Sequence, residues 1–214
     1  MKLPIFITGI GTGIGKTVVS AIVTEALEAN YWKPIQAGFD EGTDAIAVKD
    51  VLSNHNSIIH PEVYKLKLPA SPHIAAKEEN TRIDLDKIQN VYSQLTSNSN
   101  QSTIIEGAGG LLVPLNDDEF IIDLIKRLNA KVILVSRNYL GSINHSLLTA
   151  QVCKAANIDV VGWIFNDQYM HYEEEITAWS GYPKIASMPF ADTIDKAFVK
   201  EQAGRIRASL IKCL

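Results

Sequence analysis

A glycine-rich loop near the beginning of the chain, residues 9–17, constrains the fold more than any other feature of the sequence. An apolar run at 3–8 predicts a buried strand before the loop, and the apolar spacing over 16–29 predicts a helix after it. Glycines let backbone N–H groups turn towards a phosphate, and the helix N-terminus adds a partial positive charge. Lys16 would reach the β- and γ-phosphates, and the Thr17 hydroxyl would ligate Mg²⁺. The sequence therefore predicts a P-loop that holds a nucleoside triphosphate.

The spacing of this loop departs from the standard motif at its first glycine, which is Gly9, where the usual spacing requires glycine at Ile10. The G-x-G-x-x-G pattern of dinucleotide-binding domains also fails, because it requires glycine at Ile14. The specific part of the motif is its ending at residues 15–17, directly before a predicted helix. The alternative, a glycine-rich turn with a solvated lysine, does not account for the strand and the helix that flank the loop.

The rest of the chain alternates short apolar runs with amphipathic segments. The runs are continuous rather than alternating, which is typical of parallel strands covered on both faces. We therefore predict a single α/β P-loop domain over residues 1–214, with a mostly parallel central sheet covered by helices on both faces. Further strands are expected at 31–36, 102–106, 131–136 and 159–165, and further helices at 43–52, 84–95, 119–128, 143–156 and 195–212. Residues 55–82 show no clear period and are predicted to be irregular and to lie over the site.

Composition narrows the class of protein. A formal net charge of -4 argues against nucleic acid or an anionic membrane as the main partner. The apolar run at 3–8 is too short for a signal peptide, and no stretch approaches the roughly 20 apolar residues of a membrane span. Cys153 and Cys213 match no zinc-ligand spacing. We expect a cytoplasmic protein without a disulfide framework.

Two carboxylates and a lysine stand where predicted strands end or helices begin. Glu106 ends the strand at 102–106 and leads into a second glycine-rich segment, and Asp44 begins a helix. Both are candidate Mg²⁺ ligands, the alternatives being a loop carboxylate and a helix N-terminal acid favoured by the dipole. Lys33 would hold a phosphoryl group or a carbamate oxygen, although a lone lysine is more often a surface residue.

Taken together, these segments resemble the dethiobiotin synthetase family over nearly the whole chain and in the same order. Residues 106–110 are the strongest match, and residues 33–38 resemble the catalytic-lysine segment of the family. The other matching segments are 8–17, 43–45, 71–73, 140–145, 148–151, 162–167 and, loosely, 186–190. The family usually has an acid where this chain has Gly11 and a hydroxyl residue where it has Ala37, so the resemblance leaves the substrate affinity in question.

The resemblance implies ATP-dependent ring closure of 7,8-diaminononanoate with CO2 or bicarbonate, through a carbamate and a carbamic–phosphoric anhydride, to dethiobiotin, ADP and phosphate. It implies Lys33 and Lys16 as catalytic residues, ATP and Mg²⁺ as cofactors, and a homodimer with the site near the interface. Implied metal ligands are Thr17, Asp44 and Glu106. Implied nucleotide contacts are Thr12, Gly13, Ile14, Gly15, Lys16, Thr17, Val18, Asp44, Glu106, Gly107, Ala108, Gly109, Asn166, Asp167, Met188, Pro189 and Phe190. Implied substrate contacts are Thr12, Lys33, Ala37, Leu140, Gly141, Ser142, Ile143 and Asn144.

Other P-loop functions remain as alternatives. A regulatory ATPase switch of the partitioning or nitrogenase-iron-protein type usually has a second lysine at the position of Gly11, which argues against it. A small-molecule phosphotransferase is a second alternative, and the Lys33 and Glu106 segments favour the ligase over it. A binding module without catalysis would leave the set of Mg²⁺ ligands without a purpose.

Overall fold

The computed structural model describes residues 4–167 and 169–214. Its main sheet has seven strands, all parallel, in the order β4-β2-β6-β1-β7-β8-β9, and β3 pairs with β5 in a small parallel sheet. The strands are β1 (Ile5–Gly9), β2 (Asn30–Trp32), β3 (Ile35–Ala37), β4 (Ile59–His60), β5 (Tyr64–Leu66), β6 (Thr103–Glu106), β7 (Lys131–Arg137), β8 (Val160–Asn166) and β9 (Lys184–Met188). The helices are α1 (Lys16–Leu27), α2 (Asp44–Val51), α3 (Pro72–Glu78), α4 (Leu85–Thr96), α5 (Ile121–Arg127), α6 (Ser142–Ala155), α7 (Glu173–Ser180) and α8 (Lys196–Cys213).

The core lies on both faces of this sheet. Along β1, Phe6 belongs to one buried cluster, whereas Ile5 and Ile7 belong to the other. All three are at most 3% exposed. Successive strand residues point to opposite faces, so a strand covered on both sides must be apolar at every position. The predicted α/β class with a parallel, doubly covered sheet is confirmed.

Both ends of each predicted helix lie within two residues of the observed ends. The residues predicted to begin three of these helices explain the small differences. Thr43, Asp84 and Asp195 accept hydrogen bonds from backbone N–H groups of the turns that follow them. These residues are N-caps and lie just outside the helices that they begin. Leu3, the first residue of the predicted strand at 3–8, lies outside the described residues; the described part of that strand is Ile5–Gly9.

Two predictions about the elements were wrong, and two elements were missed. The single strand predicted at 31–36 is two strands in different sheets, because Pro34 has no N–H to donate and the chain leaves the main sheet after Trp32. The segment 55–82 is not irregular, since it contains β4, β5 and α3. The sequence interpretation also missed α7 and β9, which complete the edge of the sheet beyond β8. Within the described residues, no helix is both long and apolar enough to cross a membrane.

Candidate nucleotide and metal site

The carboxyl ends of three neighbouring strands bring the predicted site residues together. The order β2-β6-β1 places the chain after Trp32, the end of β6 at Glu106 and the loop after Gly9 side by side. Ile7 of β1 lies in register with Glu106. Ligands of open α/β sheets bind at this edge, because the loops that follow parallel strands meet there.

The glycine-rich loop has the backbone that its sequence predicts. Gly13 and Gly15 adopt φ values of 70° and 86°, in the left-handed region, and α1 begins directly afterwards at Lys16. A Cβ on Gly15 would lie 2.5 Å from Nδ2 of Asn166. That amide donates a hydrogen bond of 2.6 Å to the Ile14 carbonyl, so β8 supports the loop from behind. This supporting contact of Asn166 was not predicted from the sequence.

The displaced first glycine has a packing cause. A Cβ on Gly9 would lie 2.1 Å from the carbonyl oxygen of Val135, which pairs with Gly9 across β1 and β7. The same carbonyl accepts a hydrogen bond from the N–H of Ile10 at 3.1 Å. Gly9 is therefore required where the chain leaves the sheet. By contrast, a Cβ on Gly11 would meet no atom of the described residues within 4 Å, so the acid usual in the family would fit there.

Lys16 lies under the loop rather than in solvent. It is 7% exposed, and its Nζ donates a hydrogen bond of 2.6 Å to the Gly11 carbonyl. Burial lowers the pKa of the Lys16 ammonium to about 8, although the Glu106 carboxylate opposes that shift. A phosphate at the loop would supply negative charge beside this ammonium, so the site is well suited to an anionic ligand.

A cluster of charges surrounds Glu106, whose side chain is 1% exposed. Its Oε1 accepts hydrogen bonds from the Thr17 hydroxyl at 2.9 Å and from Lys33 Nζ at 3.0 Å. Its Oε2 accepts a hydrogen bond of 2.9 Å from the Tyr31 hydroxyl. Lys33 also forms an ion pair with Asp44. Burial by itself lowers the pKa of Lys33, but the charges of Glu106 and Asp44 outweigh it and raise the pKa above its ordinary value.

The donor set fits a magnesium nucleotide. Thr17, Asp44 and Glu106 offer a hydroxyl and two carboxylates beside the Lys33 ammonium. Mg²⁺ bound with a nucleotide takes one or two carboxylates, with phosphates and waters as its other ligands. Within residues 4–167 and 169–214, no group of three His, Cys, Asp or Glu side chains is placed to hold a metal alone. In a magnesium nucleotide, phosphate oxygens and waters would complete the coordination.

A cleft of about 750 Å³ lies over this cluster. Predicted site residues that line it are Thr12, Gly13, Gly15, Lys16, Thr17, Lys33, Ala37, Asp44, Glu106, Ala108 and Gly109. Gly107 lies behind the cleft wall, where its N–H donates to the Ile7 carbonyl at 3.0 Å and a Cβ would collide with the Phe6 ring. The structure therefore brings the phosphate loop, the lysine and both carboxylates into one cavity.

A second, smaller cleft of about 270 Å³ adjoins the other side of the loop. The predicted nucleotide contacts that line it are Gly13, Ile14, Gly15, Val18, Asn166, Asp167, Met188, Pro189 and Phe190. Its wall is largely apolar, as a flat heterocyclic base requires. The two clefts meet at the glycine-rich loop, which belongs to both.

The predicted substrate segment at 140–144 lies elsewhere. Within the described chain, none of its five residues lines the first cleft. Ser142 is fully buried and its hydroxyl contacts that of Tyr172 at 2.6 Å, whereas the Leu140 side chain is 86% exposed. The flanking residues Tyr139 and His145 line a separate cleft of about 450 Å³ beside the loop.

The sequence interpretation did not name Gln36 or Tyr31 as a site residue, nor six others that line the first cleft: Ile35, Pro69, Ala70, Ser71, Pro72 and Val113. Four of these belong to the segment 55–82, which was predicted to lie over the site. Gln36 donates from Nε2 to the Gly38 carbonyl at 2.8 Å and accepts the Asp44 N–H at 3.3 Å, so it supports the turn before α2. Its place inside the matching segment 33–38 was an available signal. Tyr31 contacts Glu106 across 75 residues of sequence, and an aromatic residue in an apolar strand carries no signal of that contact.

Comparisons with known proteins identify relatives of the chain. A family model described as an AAA domain matches residues 4–197. An ATP-dependent dethiobiotin synthetase BioD from Cytophaga hutchinsonii is 48% identical over 202 residues, covering 94% of this chain and 95% of the relative. Another BioD, from Christiangramia forsetii, is 44% identical over 206 residues, covering 96% of each.

Among solved structures, the MinC:MinD cell division protein complex of Aquifex aeolicus matches with a TM-score of 0.63 at 15% identity, covering 99% of this chain and 95% of that one. MinD from Pyrococcus horikoshii, complexed with Mg-ADP, matches with a TM-score of 0.59 at 17% identity, covering 98% and 94%. At such identities the likeness shows the fold alone, whereas the sequence relatives are far closer. The chain therefore belongs to the ATP-dependent dethiobiotin synthetase family and carries the AAA domain over residues 4–197.

Proposed function

We propose that the chain forms dethiobiotin from 7,8-diaminononanoate and CO2 or bicarbonate in a reaction that consumes ATP and requires Mg²⁺. The observation that carries the proposal is the convergence of Lys16, Thr17, Lys33, Asp44 and Glu106 on one cleft. Membership of the family supplies the reaction. A cleft that held only a nucleotide would not need Lys33 buried between two carboxylates opposite the phosphate loop.

When bound, MgATP supplies the phosphoryl group that activates a carbamate for ring closure. Lys16 and the loop N–H groups stabilise negative charge on the phosphates. Thr17, Asp44 and Glu106 would hold the metal, and Lys33 would offset negative charge on the carbamate and on the phosphoryl group in transfer. These residues position the reactants and offset charge, which is the main contribution of a protein to phosphoryl transfer.

The other predicted ligand contacts lie in one or the other of the two clefts. Thr12, Ala37, Ala108 and Gly109 line the first cleft, where we place the diamine and the triphosphate. We propose that the base lies in the second cleft between Val18 and the segment 188–190. Ala37 offers no hydroxyl, so its contribution to substrate binding is limited to backbone and shape. Gly107 acts as a packing residue behind them.

We further propose a homodimer in which segment 140–144 of one chain approaches the site of the other. The inward face of α6 is built from small residues: Ser142, Ser146, Ala150 and Cys153. Leu140 and Leu148 instead are 86% and 57% exposed. Exposed residues between them include the polar Asn144 and His145, so the proposed contact with a second chain rests on these two leucines. Residues 1–214 would act as one unit, and a cytoplasmic location suits a biosynthetic enzyme.

Sedimentation would test the dimer. Leu148→Glu is expected to give monomers with reduced product formation, whereas Ile211→Glu, at a position 55% exposed on α8, should leave both unchanged. A wild-type monomer that is fully active would contradict the dimer proposal.

Product formation tests the function itself. Purified protein is incubated with 7,8-diaminononanoate, labelled bicarbonate and MgATP, and acid-stable label is measured together with ADP. We expect one labelled product per ADP, and none from Glu106→Gln. Hydrolysis of ATP that is independent of the diamine and yields no labelled product would instead favour the regulatory ATPase alternative.

A further inference from the structure

A fully buried tyrosine lies beneath the charge cluster. Tyr31 is the middle residue of β2, is 0% exposed, and donates from its hydroxyl to Glu106 Oε2 at 2.9 Å. Nothing in the proposed chemistry assigns it a role, and an apolar strand could carry phenylalanine at this position. The hydroxyl is the only part of the side chain whose contact depends on its being tyrosine.

Sheet register explains how the hydroxyl reaches the carboxylate. Tyr31 pairs with Ile104 in the parallel ladder of β2 and β6, so the two side chains share a face, and both belong to the same buried cluster. Glu106 is the next residue of β6 on that face, about 6.6 Å further along the strand. A phenol directed along the strand spans this distance, whereas a shorter side chain at position 31 would end against Ile104.

Because the Tyr31 hydroxyl binds one oxygen of Glu106, the two carboxylate oxygens have different partners. Oε2 is taken by Tyr31, and Oε1 faces Thr17 and Lys33 in the cleft. A carboxylate held at one oxygen cannot rotate freely to present both to a metal.

We propose that Tyr31 is a positioning residue, whose hydroxyl holds Glu106 so that Oε1 alone faces the metal position beside Thr17. The inference rests on the proposed role of Glu106 as a Mg²⁺ ligand. It assigns Tyr31 no contact with substrate or nucleotide. Partners that orient a metal ligand typically change metal affinity by about 10–100-fold when they are removed.

The test compares ADP affinity with and without Mg²⁺ in wild-type protein, Tyr31→Phe and the control Tyr92→Phe. Tyr92 is also buried, but in the other cluster, where its ring stacks on Trp32 with centroids 6.0 Å apart, so the control removes a hydroxyl from the interior without touching Glu106. We expect Tyr31→Phe to reduce the gain in ADP affinity that Mg²⁺ provides by about tenfold. Affinity for metal-free ADP should be unchanged, and Tyr92→Phe should behave as wild type. A merely structural role would lower both affinities, which would overturn the proposal, as would an unchanged Mg²⁺ effect.

A second pair of variants keeps the test decisive even where Tyr31→Phe alone folds poorly. In the Glu106→Gln background the buried charge is gone, and Tyr31→Phe should cause no further change in the Mg²⁺ effect. A further loss there would show that Tyr31 does not act through Glu106. If Glu106→Gln itself keeps the full Mg²⁺ effect, the metal role of Glu106 fails and the inference falls with it. Dethiobiotin formation, measured separately, then still decides the proposed function.

Discussion

Lys33→Met would remove the cation from between two carboxylates while keeping an unbranched side chain of similar length. The side chains of Lys33 and Glu106 are 8% and 1% exposed, so Glu106 would be left as a buried charge without its ionic partner. Asp44, at 31%, would be partly hydrated. We expect the variant to be substantially less stable than wild type in the absence of Mg²⁺ and nucleotide.

The magnitude follows from these contacts. Removing one partner of a buried ion pair costs about 3–5 kcal/mol, because the other charge stays buried without compensation. Thr17 and Tyr31 still donate to Glu106 in the variant, so we expect the lower end, about 3 kcal/mol. For a chain of this length the melting temperature should fall by about 6–12 °C.

The pH dependence of this loss has a definite sign. Because the pKa of Lys33 is raised above 10.5, the pair stabilises the fold fully below the pKa of the unfolded lysine. That stabilisation disappears only as the pH rises through the higher folded-state value. The difference between Lys33→Met and wild type should therefore be constant from pH 7 to about 9.

Thermal and denaturant unfolding in buffer with chelator measures the loss, with the exposed Lys49 of α2 mutated to Met as the control. Adding Glu106→Gln to Lys33→Met should restore most of the stability, since it removes the uncompensated charge. A loss below about 1 kcal/mol would mean that the pair is no better than a surface ion pair. Failure of the double variant to recover would locate the cost elsewhere than at Glu106.

Three further results are expected. Gly15→Ala should lower ADP affinity at least about tenfold, because φ is 86° and the Cβ would collide with Asn166, whereas Gly11→Ala should have little effect; equal effects in ADP titrations would contradict this. At pH 9, ADP binding should be accompanied by net proton uptake, because burial lowers the pKa of Lys16 to about 8 and phosphate favours its ammonium. Calorimetry in buffers of different ionisation enthalpy measures that uptake, and a value near zero would refute it. Ala37→Ser should lower the KM for the diamine by about 2–10-fold without changing kcat, and an unchanged KM would exclude a substrate contact there.

Helices and central strands were predictable from sequence because each carries a local signal. Capping residues such as Thr43 and Asp84 mark the helix starts, and continuous apolar runs mark β1 and β7. The edge of the sheet was not predictable in the same way. β9 is partly exposed, so its sequence lacks an uninterrupted apolar run, and its place beside β8 is set by tertiary pairing.

The residues of the site likewise differ in whether the sequence could predict them. Lys16, Thr17 and Glu106 could be predicted because loops at the carboxyl ends of parallel strands must meet. The contact of Tyr31 with Glu106 and that of Asn166 with the Ile14 carbonyl could not be predicted, although Asn166 itself was named as a nucleotide contact. Each contact joins residues far apart in sequence and depends on the folded sheet. Residues proposed to contact ligands are thus easier to find from sequence than residues that hold those side chains in place.

The displaced glycine of the loop shows how one motif can combine two causes. Gly9 is required by the Val135 carbonyl of β7, and Ile10, at the standard glycine position, packs against both buried clusters. The left-handed backbone that faces the ligand begins only at Gly13 and Gly15. The proposed phosphate binding would therefore constrain the end of the motif, whereas sheet packing constrains its beginning. A shift of the first glycine by one residue changes how the loop leaves the sheet and leaves the cradle for the phosphates intact.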